Sequence, residues 1–222
     1  MIVVVGTPAW RTAEPAGPAG RACGVALAAA ARGARVEMVG RAGDDANGDA
    51  LMHALAKAGV GHVAMLRDPA RPTPVVTSPD VAEDAESVLD DEDGREPAGR
   101  TRGAAITSPG PRLEARDVEL GLQYLTTFSV LVVADDVPPS VLPVAVDAAA
   151  FAGAHLLLIV AAGTAEPGGL PGTATALAAP ERDPDGVFAA LVGGYAAALD
   201  GGAAPADAFA GALAAGWSAP AP

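Results

Sequence analysis

Four short runs of β-branched and aliphatic residues, Ile2–Val5, Val36–Val39, Val130–Val133 and Leu156–Val160, constrain this chain more than any other feature. Glu37 is the single polar residue within them and none shows a sustained polar alternation, so each is expected to be a buried strand, as in the middle of a parallel sheet. Between them lie Ala- and Leu-rich stretches closed by glycine, Gly24–Arg32 before Gly33 and Asp49–Ala58 before Gly59. A glycine just past a periodic stretch reads as a helix stop. Further helices are expected over Glu114–Leu125, from Pro138/Pro139 to Ala152, over Pro184–Leu199 and over Pro205–Ala215. Shorter strands are expected at Val63–Leu66, Thr73–Thr77 and Ala104–Thr107, and Gly163–Gly172 reads as a Gly/Pro loop. Strands alternate with helices, which predicts an α/β three-layer sandwich with a mostly parallel central sheet. At 222 residues, a single domain over 1–222 suffices.

Composition narrows the partners. Half the residues are hydrophobic but only 4% are aromatic, so the core must be assembled from Ala, Val and Leu. A formal charge of −13, from 27 acids against 14 bases, repels nucleic acid and anionic lipid. The lone Cys23 permits no intramolecular disulfide. The start of the chain lacks the basic flank of a signal peptide, and the apolar stretch near His155–Ala162 is too short to span a bilayer. A cytoplasmic protein is the expectation. One stretch, Ser78–Gly103, is acidic and poor in apolar residues, and is expected to be a mobile loop within the domain.

The segment Ala19–Gly48 reads AGRACGVALAAAARGARVEMVGRAGDDANG. It resembles the ribokinase/PfkB-type carbohydrate kinases, with their Gly-Gly turn, Ala-rich helix, strand ending in VG, and GDDxxG. The likeness continues through LMHALAKAGV (Leu51–Val60), VLVVADDVP (Val130–Pro138) and the two closing helices in Gly186–Gly216. It implies a ribokinase-like, Rossmann-like sandwich, here a truncated and degenerate member. In the family a lid lies between the first strand and the Gly-Gly turn. About a dozen residues fill that interval here, which by the length of strands implies that the lid is absent.

The resemblance also implies where chemistry should sit. The family's sugar-binding Asp falls on Arg11, which offers donors where hydroxyl acceptors are needed. The Gly-Gly turn is Ala19-Gly20, and the Asn that grips the sugar falls on Gly24. Gly20, Gly43, Arg11 and Gly24 are thus what remains of the substrate site. The family's GAGD, with its phosphate-holding helix start and catalytic Asp, falls on Asp183-Pro184-Asp185-Gly186. Gly186 therefore stands at the base position, with Asp183 and Asp185 as weak substitutes. Asp183 is expected to cap the helix, with Pro184 at its first position. The family's Asn-x-x-Glu element is missing, because Asn47 is the sole asparagine and belongs to GDDANG.

Other candidates carry less. Asp44 and Asp45 are expected to cap the turn and helix that follow them. A calcium loop at Asp90–Gly94 fails, with Leu89 and Arg100 at its first and last ligand positions. His53, His62 and His155 lack ligand spacing, so no metal site is expected. The expected function is a non-catalytic ribokinase/PfkB-like domain that binds a small molecule or a protein partner. Two alternatives stand beside it: a diverged, active ATP-dependent carbohydrate or nucleoside kinase, requiring ATP and Mg2+, and a structural subunit pairing with an intact kinase. A homo- or hetero-oligomer fits any of the three.

Overall fold

A computed structural model of the chain describes residues 1–76, 110–134, 137–165, 167–181, 183 and 185–216. The expected loop at Ser78–Gly103 and the expected strand at Ala104–Thr107 lie outside the described residues. In chain order the elements are β1 (Ile2–Val5), β2 (Ala9–Arg11), β3 (Gly17–Ala19), α1 (Arg21–Ala30), β4 (Val36–Gly43), α2 (Ala46–Lys57), β5 (Val60–Asp68) and β6 (Val75–Val76). There follow α3 (Ala115–Tyr124), β7 (Val130–Val133), α4 (Val141–Ala152), β8 (His155–Val160), β9 (Ala174–Ala178), α5 (Val187–Asp200) and α6 (Pro205–Gly216).

Six strands form one sheet in the order β5-β4-β1-β7-β8-β9, and every pairing in it is parallel. The four apolar runs supply its centre, as their composition requires. Strand periodicity divides their side chains between two cores. Ile2, Val4, Met38, Val132, Leu157 and Ile159 face α1, α2, α5 and α6, whereas Val3, Val5, Val39, Leu131, Val133 and Leu158 face α3 and α4. The result is the expected α/β sandwich, with helices on both faces.

Several boundaries differ from expectation, each for a physical reason. Helix α1 begins at Arg21 rather than Gly24, because Gly20 (φ 89°) makes the turn and serves as its N-cap. Pro138 and Pro139 precede α4 instead of opening it, and Val141 N–H closes the turn onto the Pro138 carbonyl at 2.9 Å. Helix α5 begins at Val187, after Gly186 turns the chain with φ 67°, and Pro184, expected at its first position, lies outside the described residues. Among the described residues of the expected strand Thr73–Thr77, Val75–Val76 forms β6, and Thr73 instead turns its N–H and hydroxyl to Asp45.

The interval between β1 and Gly20, expected to be too short for a strand pair, does hold one. Strands β2 and β3 occupy that interval as a short antiparallel pair, with Ala9 opposite Ala19 and Arg11 opposite Gly17. Three residues suffice for each because β6 joins as a third, parallel strand, with Trp10 opposite Val75. This small sheet packs on α1 and α2.

Candidate functional site

In open α/β sheets ligands bind beyond the carboxyl ends of the strands, where helix N-termini gather. Here that edge carries the turn at Gly20, the GDDANG loop after β4, and the start of α5 after β9.

The GDDANG loop is held by one side chain that sequence reasoning did not single out. Thr73 is buried, lies between Pro72 and Pro74, and ties three segments together. Its hydroxyl accepts from the Gly43 N–H at 3.0 Å and donates to Asp45 Oδ1 at 2.8 Å, while its N–H donates to Asp45 Oδ2 at 2.7 Å. Asp45 also accepts the Gly48 N–H at 2.8 Å, which makes it the N-cap of α2. Burial alone would raise the Asp45 pKa. The hydrogen bonds from Gly48 and Thr73, with the Arg67 guanidinium nearby, outweigh it and hold the carboxyl below the usual range. Both glycines of the motif are required by crowding. A Cβ on Gly43 would lie 2.4 Å from Thr73 N, and one on Gly48 would lie 2.3 Å from the Gly43 carbonyl. Asp44 points outward and pairs with Arg67 at 3.2 Å. The pair of aspartates is thus a cap and a surface ion pair. The signal for Thr73 was present: a hydroxyl residue fixed between two prolines has few ways to use its N–H locally.

At Gly20 a Cβ would approach the Thr7 carbonyl to 3.2 Å, so the turn is glycine for close approach as well as for its positive φ. Gly24 lies one turn into α1, against α5. A Cβ there would meet the Ala189 Cβ at 2.8 Å, and farther along a Cβ on Gly193 would meet Ala28 at 2.7 Å. The two helices therefore touch nearly backbone to backbone, and Gly24 is taken up by that helix contact. Arg11 ends β2, and its Nε donates to the Pro15 carbonyl at 3.0 Å, within the β2–β3 turn.

The start of α5 is closed from within the chain. Asp183 Oδ1 accepts from the Phe188 N–H at 3.0 Å, and its Oδ2 accepts from the Ala189 N–H at 2.9 Å. Those are the second and third amides of the helix, the donors that an anion at a helix N-terminus would engage. Gly186, the N-cap, adopts φ 67° and has no side chain to offer. Arg21 from α1 donates to the Pro180 carbonyl at 3.1 Å and stacks over the Phe188 ring at 5.8 Å, joining the starts of α1 and α5. The structure thus brings Gly24, Asp183 and Gly186 together around the α1–α5 contact, and places Gly43 in the separate loop locked by Thr73. Among the described residues, no cluster of His, Cys, Asp or Glu is arranged to hold a metal ion.

The comparisons fit this geometry. The family model described as pfkB family carbohydrate kinase matches residues 15–88, the stretch holding the Gly20 turn, α1, β4 and the GDDANG loop. Residues 15–88 are thus similar to that family, and the fold is ribokinase-like. An E. coli protein provisionally described as a ribokinase II, in complex with ATP and Mg2+, is similar at a TM-score of 0.63. It is 13% identical, with 97% of this chain and 91% of that one covered. A fructokinase double mutant from Vibrio cholerae O395, bound to fructose, ADP and potassium, is similar at a TM-score of 0.52 and 19% identity, with 71% of this chain covered. An ATP-bound sugar kinase from Pyrococcus horikoshii is similar at a TM-score of 0.50 and 13% identity, with 72% of this chain covered. The ribokinase-like chain spans about half of the last two proteins, 49% and 53% respectively. None of the curated proteins matches it in sequence. Among the described residues, no helix is long and apolar enough to cross a membrane.

Proposed function

We propose that this chain is a cytoplasmic ribokinase-like domain that does not transfer phosphoryl groups and acts by binding, to a small molecule or a protein partner. The observation that carries the reading is the Asp183 carboxylate on the amides of Phe188 and Ala189. A kinase of this fold needs those donors for the negative charge that spreads over the transferred group, and a base beside the acceptor hydroxyl. Here the donors already hold a carboxylate, and a second anion brought to them would meet like charge. The residue at the base position is Gly186, and both Asp183 oxygens are occupied as hydrogen-bond acceptors.

ATP and Mg2+, which the fold implies, do not fit the residues present at this helix start. The acceptor side supports the same reading, since Gly24 is packed on Ala189 and Arg11 presents donors.

The test is a coupled assay for ADP release against hexoses, ribose and adenosine, run beside calorimetric titration of ATP. Turnover at background in the wild type and in Asp183→Ala is the expected result. Substrate-dependent ADP release that disappears in Asp183→Ala or Asp185→Ala would overturn the reading, because the base would then have moved to one of them.

A further inference from the structure

The two edges of the six-stranded sheet are built differently. Strand β5 carries His62, Arg67 and Asp68 and is broken by a bulge opposite Glu37–Val39. Those are the usual protections against strand addition. Strand β9 has none of them. It reads Ala-Thr-Ala-Leu-Ala, pairs with β8 in unbroken register, and lies in a stretch, Pro167–Pro180, without one ionisable residue. Among the described residues nothing pairs with its outer side.

The direction of its backbone groups is fixed by the ladder. Thr173 accepts from the Leu156 N–H, and Ala179 donates to the Val160 carbonyl, so these residues face β8. By alternation, Ala174, Ala176 and Ala178 turn their peptide groups outward. The Ala174 N–H is used locally by the Pro171 carbonyl. The N–H groups of Ala176 and Ala178, and the carbonyls of Ala174 and Ala176, are left as a row of donors and acceptors.

We propose that the outer edge of β9 pairs with the same edge of a second copy of this chain. The two strands run antiparallel about a two-fold axis at Ala176, joining two sheets into one of twelve strands. Three features favour a second copy over another partner. The row is self-complementary: Ala176 faces Ala176 and exchanges both bonds, and Ala178 N–H reaches the partner's Ala174 carbonyl on either side. The opposed side chains are Ala on Ala and Thr on Leu, without large groups to clash. Finally, a chain of charge −13 repels its copy at most of its surface, whereas this edge opposes no charge to itself.

Sedimentation of the full chain at tens of micromolar tests this. The wild type should sediment with the mass of two chains. Ala176→Pro should fall to the 21.7 kDa of one chain with an unchanged far-UV spectrum, since the N–H it removes faces away from β8. Val63→Lys, on the opposite edge, should leave the dimer intact. Hydrogen exchange gives a second readout: the Ala176 and Ala178 amides should be protected at high concentration and lose protection on dilution. A single-chain mass throughout, a dimer that survives Ala176→Pro, or protection independent of concentration would each overturn the proposal. The last would mean that the edge is covered by the same chain.

Discussion

Thr73 gives both of its donors to one carboxylate: its N–H reaches Asp45 Oδ2 at 2.7 Å and its hydroxyl reaches Asp45 Oδ1 at 2.8 Å. The same hydroxyl accepts from Gly43, so the end of β4, the start of α2 and the approach to β6 are closed by one side chain. Thr73→Val should cost about 1–3 kcal/mol, because it leaves the buried Gly43 N–H without a partner and removes a donor from Asp45. Asp45→Ala should cost more, since it removes the helix cap as well. Urea denaturation of both single variants and the double variant gives the coupling, expected well above that of distant sites.

The depressed pKa of Asp45 has a consequence for acid stability. Its folded-state value lies below its unfolded value of about 3.9. Its stabilising contribution is therefore complete above the unfolded value and is lost as pH falls through the folded one. Asp45→Asn should be less stable than the wild type at neutral pH, and the gap should narrow below about pH 4. Melting curves of the two proteins across that range measure it; a constant gap would contradict the assignment.

Gly24 is held to glycine by Ala189. Gly24→Asn places the residue implied by the resemblance where a Cβ already meets Ala189 at 2.8 Å, so α1 and α5 must separate. The expected cost is about 1–3 kcal/mol, as for other overpacked contacts. ADP release should stay at background. Adding Ala189→Gly should recover part of the loss, and the absence of any recovery would place the strain elsewhere.

Asp183 acts on α5 as a cap. Asp183→Ala should destabilise the protein by about 1 kcal/mol, whereas Asp183→Asn should retain much of the stability, because an amide oxygen still accepts from Phe188 or Ala189. Thermal melts of the two variants distinguish this role from a purely electrostatic one, in which both would lose equally.

The central strands and the six helices among the described residues were legible because their signals are local. Ile2–Val5 and Val130–Val133 are apolar at every position, and α1 and α2 end beside Gly33 and Gly59, whose φ of 82° and 80° suit only glycine well. The capping roles of Asp45 and Asp183 were legible too, since a carboxylate before a helix has few better partners than its amides. Strand β9 was not legible. Ala-Thr-Ala-Leu-Ala has weak β-propensity and follows a Gly/Pro loop, so it becomes a strand only because β8 offers a ladder. Strands β2 and β3 depend in the same way on β6, more than fifty residues away. Sequence alone determined which segments are buried and at which positions this chain departs from the pattern of the kinases it resembles. Tertiary structure decided what those positions touch: Gly24 makes a helix contact with Ala189, Asp183 holds the Phe188 and Ala189 amides of α5, and the GDDANG loop is latched to Thr73. Gly24 with Ala189 and Asp45 with Thr73 join residues far apart in the chain, where no local propensity acts and only packing and hydrogen-bond geometry choose the partner.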